Sequence, residues 1–240
     1  MAGARDTICA LASGPPPSAI AVVRISGPMV RDICSRVFEN GVPDPRRMVF
    51  GRFFDVSRET IDEGLGVFMP GPSSYTGEDT AELYLHGGAA VIDHALDTLC
   101  EFESTRLAEP GEFTRRAFEN GRLDLVEAEG VADLIDAETR AQKSLALDQL
   151  DGRLSETYEG WRRSLLEVLA LLEASLDFPD EEEAPVEVTE AVASRLLETA
   201  ASLQGALQDD EIGERIRDGF RIAIVGPPNA GKSSILNRLA

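Results

Sequence analysis

Short apolar segments, separated by glycine and proline, fill the first half of the chain. Such segments bounded by turn residues are typical of strands, and they predict strands at residues 7–12, 19–25, 48–54, 66–69 and 80–86. In the last of these, alternate residues from Ala81 to Leu85 are apolar and are expected to pack inward, whereas Glu82 lies on the other, free face. Helical spacing predicts two helices, at residues 28–38 and 89–102. Strands mixed with two helices predict a compact α+β domain.

The second region, residues 123–218, contains few glycines and prolines and is predicted to be helical. Apolar residues spaced by threes and fours form one stripe along a long helix: Leu150, Leu154, Tyr158, Trp161, Leu165, Leu169, Leu172 and Leu176. Such a stripe is expected to form a core against a partner helix. Phe-Pro at residues 178–179 ends this helix, and the acidic run at 180–183 is predicted to be a solvated loop. A second helical stretch around Val192 and Leu203 is expected to pair with the first in antiparallel orientation.

The composition excludes several classes of function. With 43 acidic and 23 basic side chains, the formal charge of −20 opposes nonspecific binding to a phosphate backbone. A nucleic-acid partner must therefore be held locally or through another subunit. No apolar run is long enough to span a membrane and no signal-peptide pattern is present, so a cytoplasmic protein is expected. The cysteines Cys9, Cys34 and Cys100 lie far apart in the sequence and are expected to be buried, reduced thiols.

The strongest chemical motif lies near the C-terminus. Residues 226–233, Gly-Pro-Pro-Asn-Ala-Gly-Lys-Ser, match the phosphate-binding pattern G-x-x-x-x-G-K-[ST]. They follow a predicted apolar strand at 221–225 and precede a predicted helix that begins near Ser233. In this context backbone N–H groups and the helix dipole converge on an anion. The structural alternative is a Gly-Pro turn between a buried strand and a helix. We interpret the motif as a nucleoside triphosphate site.

The residue types in this motif suit triphosphate chemistry. Lys232 is expected to place its ammonium against the outer phosphates, and the hydroxyl of Ser233 to ligate Mg²⁺. Because the prolines at 227–228 lack N–H donors, the backbone cradle must start at Asn229. The predicted nucleotide-binding residues are Gly226, Asn229, Ala230, Gly231, Lys232, Ser233 and Ser234.

The motif does not choose the base. Residues that select guanine or adenine lie elsewhere in such domains, here beyond Ala240. We expect the nucleotide domain to be incomplete in these 240 residues, which on their own are predicted not to hydrolyse nucleotide.

Further segments extend this interpretation over nearly the whole chain. They include residues 70–79 (Pro-Gly-Pro-Ser-Ser-Tyr-Thr-Gly-Glu-Asp), 110–114 (Pro-Gly-Glu-Phe-Thr), 132–137 (Ala-Asp-Leu-Ile-Asp-Ala), 177–182 (Asp-Phe-Pro-Asp-Glu-Glu) and 228–234 (Pro-Asn-Ala-Gly-Lys-Ser-Ser). In this order they resemble the MnmE (TrmE) family of tRNA-modification GTPases, which depend on potassium.

The resemblance implies a multidomain protein. Residues 1–122 are expected to form an α+β domain that dimerises and binds a tetrahydrofolate derivative. Residues 123–218 would be the first part of a helical domain, and residues 219–240 the first strand and phosphate-binding loop of an α/β G domain. It also implies a flavin-dependent partner, MnmG, and tRNA as substrate. The two proteins install an aminomethyl-type group on carbon 5 of the wobble uridine. The implied cofactors are GTP, Mg²⁺, K⁺ and 5,10-methylene- or 5-formyl-tetrahydrofolate.

Particular residues carry over from the family. Arg24, Glu82 and Arg122 match its folate-binding positions, and Asn229 matches the asparagine that ligates potassium. Potassium beside the phosphates can supply the positive charge that an arginine finger supplies in other GTPases. Arg122 stands where lysine is common. In the loop from Ser13 to Ser18, Pro-Pro-Pro-Ser replaces a more glycine-rich, arginine-bearing loop, a departure that bears on folate affinity. No residue of this chain is assigned to the uridine chemistry.

The residues themselves leave alternatives open. Arg24 lies within an apolar strand, where an unpaired charge is costly, so it binds either an anionic ligand or a partner such as Glu82. His86 is interpreted as a structural residue. At the level of the whole chain, one alternative is a noncatalytic folate-binding dimerisation module. The other is a P-loop ATPase with an unrelated adaptor domain.

Overall fold

The computed structural model describes residues 6–177, 186–218, 223–227 and 230–239. The chain divides into two compact units, Met1–Ala128 and Glu129–Ala240. The boundary lies close to the change from mixed to helical patterning that the sequence shows near residue 123.

A six-stranded mixed sheet forms the first unit, in the order β3-β4-β5-β2-β1-β6. Its strands are β1 (Thr7–Leu11), β2 (Ser18–Ser26), β3 (Val49–Phe54), β4 (Thr60–Met69), β5 (Thr80–Gly87) and β6 (Thr105–Leu107). Neighbouring strands are antiparallel except β1 and β6, which are parallel. The central position of β2 and β5 makes them the strands best placed to present polar side chains from a rigid support.

Two helices cover one face of this sheet, α1 (Val30–Val37) and α2 (Ala89–Cys100), and a third helix of this unit is α3 (Glu112–Glu119). α1 and α2 contribute Ile33, Val37, Ala95 and Leu99 to a core that also contains Val23 and Leu83 from the sheet. The predicted inward face of β5 is confirmed, because Ala81, Leu83 and Leu85 are buried. The α+β class predicted from the sequence is confirmed.

The structure contains elements in this unit that the sequence patterns did not predict. Strand β4 begins at Thr60, six residues before the apolar segment, and its polar first half pairs with β3. The three residues of β6 are too few to show a period, and they are defined only by pairing with β1. α3 begins directly after Gly111, whose φ of 75° turns the chain into the helix.

The second unit is helical, as predicted, with α4 (Leu125–Asp136) beginning just before its boundary. The later helices are α5 (Arg140–Leu150), α6 (Arg153–Asp177) and α7 (Val186–Asp218). Thr139 and Gln142 form a reciprocal capping box at the start of α5. The acidic run at 180–183 lies outside the described residues.

α6 and α7 pack against each other with antiparallel axes, as predicted. The indole N–H of Trp161 donates to Ser202 Oγ at 2.9 Å, and Ser164 Oγ lies 2.8 Å from Thr199 Oγ1. Glu167 then pairs with Arg195. Successive residues along α6 therefore contact residues progressively earlier in α7, and only an antiparallel pair of helices has this order of contacts.

The predicted leucine stripe is not a core. Leu165, Leu169 and Leu172 are about half-exposed, whereas Val168, outside the stripe, is buried. The contacts with α7 come from Trp161, which belongs to the stripe, and from Ser164 and Glu167, which do not. The sequence shows which residues share a face, but it does not show which neighbouring helix covers that face.

The C-terminal segment contains α8 (Lys232–Leu239), close to the predicted helix start. Residues 223–226 form no strand, and residues 221–222 lie outside the described part of the chain. Val225 is 91% exposed. The strand predicted here is therefore wrong for the described residues, because an apolar segment becomes a strand only by pairing with another. In the part of the chain that the structure describes, no helix combines the length and apolar character needed to cross a membrane.

Candidate functional site

An arginine–glutamate pair lies at the centre of the sheet, on the face opposite the helical core. Arg24 on β2 and Glu82 on β5 are direct register partners. Arg24 Nε and Nη2 each lie 2.8 Å from Glu82 Oε1. The Arg24 side chain keeps 27% of its exposure and that of Glu82 keeps 11%. The structure shows the ion pair with Glu82 that was one of the two alternatives for Arg24, and the expectation that this face is free is wrong at Glu82.

Tyr84 completes the hydrogen bonding of this carboxylate. Its hydroxyl donates to Glu82 Oε2 at 2.7 Å, so both oxygens of Glu82 have a partner. The pKa of Tyr84 is raised, first because this hydrogen bond favours the protonated phenol and second because the side chain is partly buried. Tyr84 therefore holds Glu82 in one orientation without carrying a charge itself.

Two aromatic rings that the sequence reasoning missed flank Arg24. Arg24 Cζ lies 5.3 Å from the ring centroid of Tyr75 and 5.6 Å from that of Phe113, within the range of cation–π contacts. Tyr75 is in the loop before β5, and its hydroxyl lies 2.9 Å from Thr114 Oγ1 on α3. Both aromatic residues lie in segments that carry the family resemblance, and this was the sequence feature that could have identified them as site residues.

Arg122, the third predicted folate residue, contacts the same loop from another side. Its Nε donates to the carbonyl of Ser74 at 3.2 Å. A Cβ at Gly77, which has φ of 80°, would lie 3.2 Å from Arg122 Cγ. The structure thus brings Arg24 and Glu82 into direct contact, and it places Arg122 against the loop that carries Tyr75.

A charged network fixes α3, which carries Phe113. Arg116 is buried and binds three carboxylates: Asp6 at 2.9 Å, Glu78 at 3.2 Å and Glu112 at 3.2 Å. Arg106 also binds Glu112, with Nη2 2.6 Å from Oε1. Because Glu78 accepts a hydrogen bond from Ser26 Oγ at 2.8 Å, the network also joins the Tyr75 loop to β2.

The carboxylates in this network are held ionised. Hydrogen bonds from Arg106 lower the pKa of Glu112 to about 2, against a smaller opposing effect of burial. Burial acts to raise the pKa of Asp6, but hydrogen bonds from Arg106 and Arg116 outweigh it and the pKa is lowered. No sequence pattern predicts this cluster, since Asp6 and Arg116 lie 110 residues apart.

The predicted nucleotide residues are gathered at the start of α8. Gly231 has φ of 82°, which favours glycine, and the helix begins at the next residue. Lys232 Nζ donates to the carbonyls of Gly226 at 2.8 Å and Pro227 at 2.7 Å. Its ammonium therefore lies beside the loop backbone, and Ser233 and Ser234 follow on the first turn. Ala230 is also placed here, whereas Asn229 lies outside the described residues.

His86 has a structural partner, as interpreted from the sequence. Its Nδ1 lies 3.0 Å from Asp62 Oδ1, and its backbone N–H donates to Asp62 Oδ2 at 2.7 Å. Across the described ranges, no group of three histidine, cysteine, aspartate or glutamate side chains could hold a metal ion.

The chain thus combines an α+β unit, which has a polar cluster on its sheet, with a helical unit and a sequence of the phosphate-binding pattern. The family model for the GTP-binding protein TrmE N-terminus matches residues 7–122, and the model for the MnmE helical domain matches residues 125–234. The chain belongs to the MnmE (TrmE) family.

Similar proteins agree with this assignment. The chain is 61% identical over 237 residues to a tRNA modification GTPase MnmE from Hyphomonas neptunium, covering 99% of this chain and 54% of that protein. It is 54% identical over 236 residues to the protein of that name from Phenylobacterium zucineum, covering 98% and 52%. Against the Caulobacter vibrioides protein the identity is 51% over 235 residues, covering 98% and 52%. The chain spans about half the length of the curated relatives it matches.

Proposed function

We propose that the protein acts in tRNA modification as a GTP-binding and GTP-hydrolysing enzyme. With the flavin-dependent partner MnmG it would install an aminomethyl-type group on carbon 5 of the wobble uridine, with a folate one-carbon donor. The observation that carries the proposal is the phosphate-binding sequence with Lys232 at a helix start, in a chain 61% identical to a tRNA modification GTPase. The domain borders of this proposal are 1–122, 123–218 and 219–240.

Residues 226–234 include several of the groups that bind a Mg²⁺–triphosphate in P-loop proteins. Lys232 is already held beside the loop by two neutral carbonyls, and phosphate oxygens are stronger acceptors for its ammonium. Ser233 would supply a hydroxyl to Mg²⁺, and Asn229 would supply its side-chain oxygen to K⁺. When bound, the cations neutralise charge on the phosphates; the chain itself binds and orients the triphosphate.

The first test is the affinity of the full-length protein for a fluorescent GTP analogue. Replacing Lys232 with alanine should weaken binding by about 100-fold, because a charge-assisted contact to phosphate is lost. Arg238→Ala, on the same helix and away from the loop, is the matched control and should bind normally. Equal affinity of Lys232→Ala and the wild type would contradict the proposal, and preference for ATP would favour the ATPase alternative. The 240-residue chain alone is expected to show no turnover.

The sheet cluster is proposed to bind the folate. A reduced folate has a planar heterocycle edged with N–H and C=O groups and a tail of carboxylates. Glu82 is a fixed acceptor for such N–H groups, and Arg24 is a donor to carbonyl or carboxylate oxygen. Tyr75 and Phe113 offer ring faces for stacking. Arg122 supplies a further cation next to the Tyr75 loop.

Titration of 5-formyltetrahydrofolate into the protein tests this site. Arg24→Ala is expected to lower the affinity by about 10- to 100-fold, the loss of one or two charge-assisted hydrogen bonds. Arg52→Ala is a close control, since Arg52 on β3 is also the register partner of a glutamate, Glu63 on β4, with an exposed pair at 3.6 Å. An equal loss in both variants, or no binding by the wild type, would exclude the cluster as the folate site.

One observation favours the second candidate function, a noncatalytic folate-binding dimerisation module. Every residue of the proposed folate site lies within Met1–Ala128, so this unit contains the site without the nucleotide loop. Folate binding that does not respond to GTP in the full-length protein would favour this alternative. A change in folate affinity on adding GTP would favour the coupled enzyme.

The partners complete the proposal. A homodimer through the first unit is supported by exposed apolar side chains on β3 and β4, where Phe50 and Leu65 are register partners. The charge of −20 disfavours free binding to tRNA, which is consistent with tRNA being held together with MnmG. We place this activity in the cytoplasm.

A further inference from the structure

Two cysteines that are distant in the sequence are neighbours in the first unit. Cys9 on β1 and Cys100, the last residue of α2, are separated by 91 residues, and their Sγ atoms lie 3.9 Å apart. Cys9 is fully buried and Cys100 is exposed. The expectation of buried thiols therefore holds for Cys9 and Cys34 and is wrong for Cys100.

We propose that Cys9 and Cys100 are an oxidant-responsive dithiol, which closes to a disulfide when the protein meets a peroxide. The exposed Cys100 can be reached from solvent, and the buried Cys9 lies directly behind it. An S–S bond of about 2.05 Å requires the two sulfurs to approach by less than about 2 Å from their present contact. Because α2 already packs on the sheet that contains β1, side-chain movements can supply most of this approach.

The reaction has two balanced steps. The Cys100 thiol gives its proton to water and the thiolate attacks one peroxide oxygen. The O–O bond breaks, the sulfur becomes a sulfenic acid, and the other oxygen leaves as hydroxide or alkoxide, which takes a proton from water. The Cys9 sulfur then attacks the Cys100 sulfur, the S–O bond breaks, and the departing hydroxide takes the Cys9 proton as water. Two electrons pass from the two sulfurs to the peroxide. A dithiol reductant reverses the change.

The surroundings of the thiols assign the order of the steps. Burial, together with the neighbouring Cys100, raises the pKa of Cys9, so Cys9 stays protonated and is shielded from solvent. Cys9 Sγ also lies 3.6 Å from the carbonyl of Arg106, to which it donates. Cys100 is thus the residue that meets the oxidant, and Cys9 is the resolving thiol. Burial raises the pKa of Cys34 to about 12, which makes it the internal control.

The crosslink would lie away from the proposed folate site. Cys9 is the register partner of Ile25, which faces the helical core, whereas Arg24 is directed to the opposite face. Oxidation should therefore tie β1 to the end of α2 and leave Arg24 and Glu82 in place. This inference is independent of the folate proposal.

Peroxide treatment of the reduced protein, followed by alkylation and mass spectrometry, tests the dithiol. The wild type should lose the mass of two hydrogen atoms and give a Cys9–Cys100 linked peptide, with Cys34 alone alkylated after unfolding. The disulfide would close a loop of about 91 residues in the unfolded chain and so lower the entropy of the unfolded state. The thermal unfolding midpoint of the oxidised protein should therefore rise by at least about 5 °C. Cys34→Ser should behave in the same way.

Two variants distinguish the proposed Cys9–Cys100 disulfide from nonspecific oxidation of an exposed thiol. Cys100→Ser, at an exposed position that should not disturb folding, must abolish the linked peptide and the rise in the midpoint. Cys9→Ser should leave a sulfenic acid at Cys100 that dimedone traps. Conversion of wild-type Cys100 to sulfinic acid without a linked peptide, or a disulfide between two molecules through Cys100, would overturn the proposal.

Discussion

Replacing Arg116 with methionine is expected to lower the free energy of unfolding of the first unit by about 3 kcal/mol. The guanidinium is 5% exposed and binds Asp6, Glu78 and the 1%-exposed Glu112. Removing one member of a buried ion network leaves charges without compensation, which costs about 3 to 5 kcal/mol. The lower end applies because Arg106 still binds Glu112 and Asp6. Urea unfolding followed by far-ultraviolet circular dichroism measures the change.

The adjacent residue supplies the control. Arg115 also binds Glu112, at 3.4 Å, but it is 53% exposed. Solvent screens such a pair, so Arg115→Met should change the free energy of unfolding by less than about 0.5 kcal/mol. Slower hydrogen exchange in β1 and β2 of wild type than of Arg116→Met would assign the effect to the first unit. If the two variants were equally stable, the network would not be a stabilising feature.

Acid should destabilise the first unit by about 3 kcal/mol through Glu112. Its pKa is lowered to about 2 in the folded protein and is about 4.3 in an unfolded chain. The folded state therefore binds fewer protons than the unfolded state in this window. The stabilisation is complete above about pH 5 and is lost as the pH falls towards 2. The lowered pKa of Asp6 acts in the same direction.

Glu112→Gln isolates this contribution, because glutamine resembles the protonated carboxyl. The variant should be less stable than the wild type at pH 7. The difference in free energy of unfolding should close as the pH approaches 2. Urea titrations at several pH values measure it, and a difference that stays constant between pH 7 and pH 3 would mean that Glu112 is not the titrating group.

The elements predicted from the sequence are those whose pattern is long enough to repeat. In β5 apolar residues occupy alternate positions and are buried, whereas β2 is recognisable by its apolar run, in which Ala21, Val23 and Ile25 are buried. β6 has only three residues, too few for a period, and α3 covers about two turns with only Phe113, Ala117 and Phe118 apolar. Both exist because β1 and the charged network hold them, which is information about contacts across the chain.

The candidate site also contains some residues that could be predicted from the sequence and others that could not. The sequence allows Arg24 and Glu82 to be predicted as a possible ion pair, because Arg24 is a charge within an apolar strand and needs a partner. Tyr75 and Phe113 could not be placed beside Arg24, since one lies in a loop and the other on the short α3. The neighbouring sulfurs of Cys9 and Cys100 were hidden for a similar reason, because their contact depends on how α2 packs on β1.

The position of β1 determines when the first unit can be completed during synthesis. Its antiparallel partner β2 follows directly in the sequence, but its other partner, β6, follows about a hundred residues later. Asp6 likewise cannot form its ion pairs until Arg106 and Arg116 have been synthesised. At about 5 to 20 residues per second, the ribosome takes roughly 5 to 20 s to deliver them. During that time the backbone N–H and C=O groups on one edge of β1 have no partner strand and can pair with other chains. Pairing of β1 with its last strand is therefore among the latest contacts that the first unit can form on the ribosome.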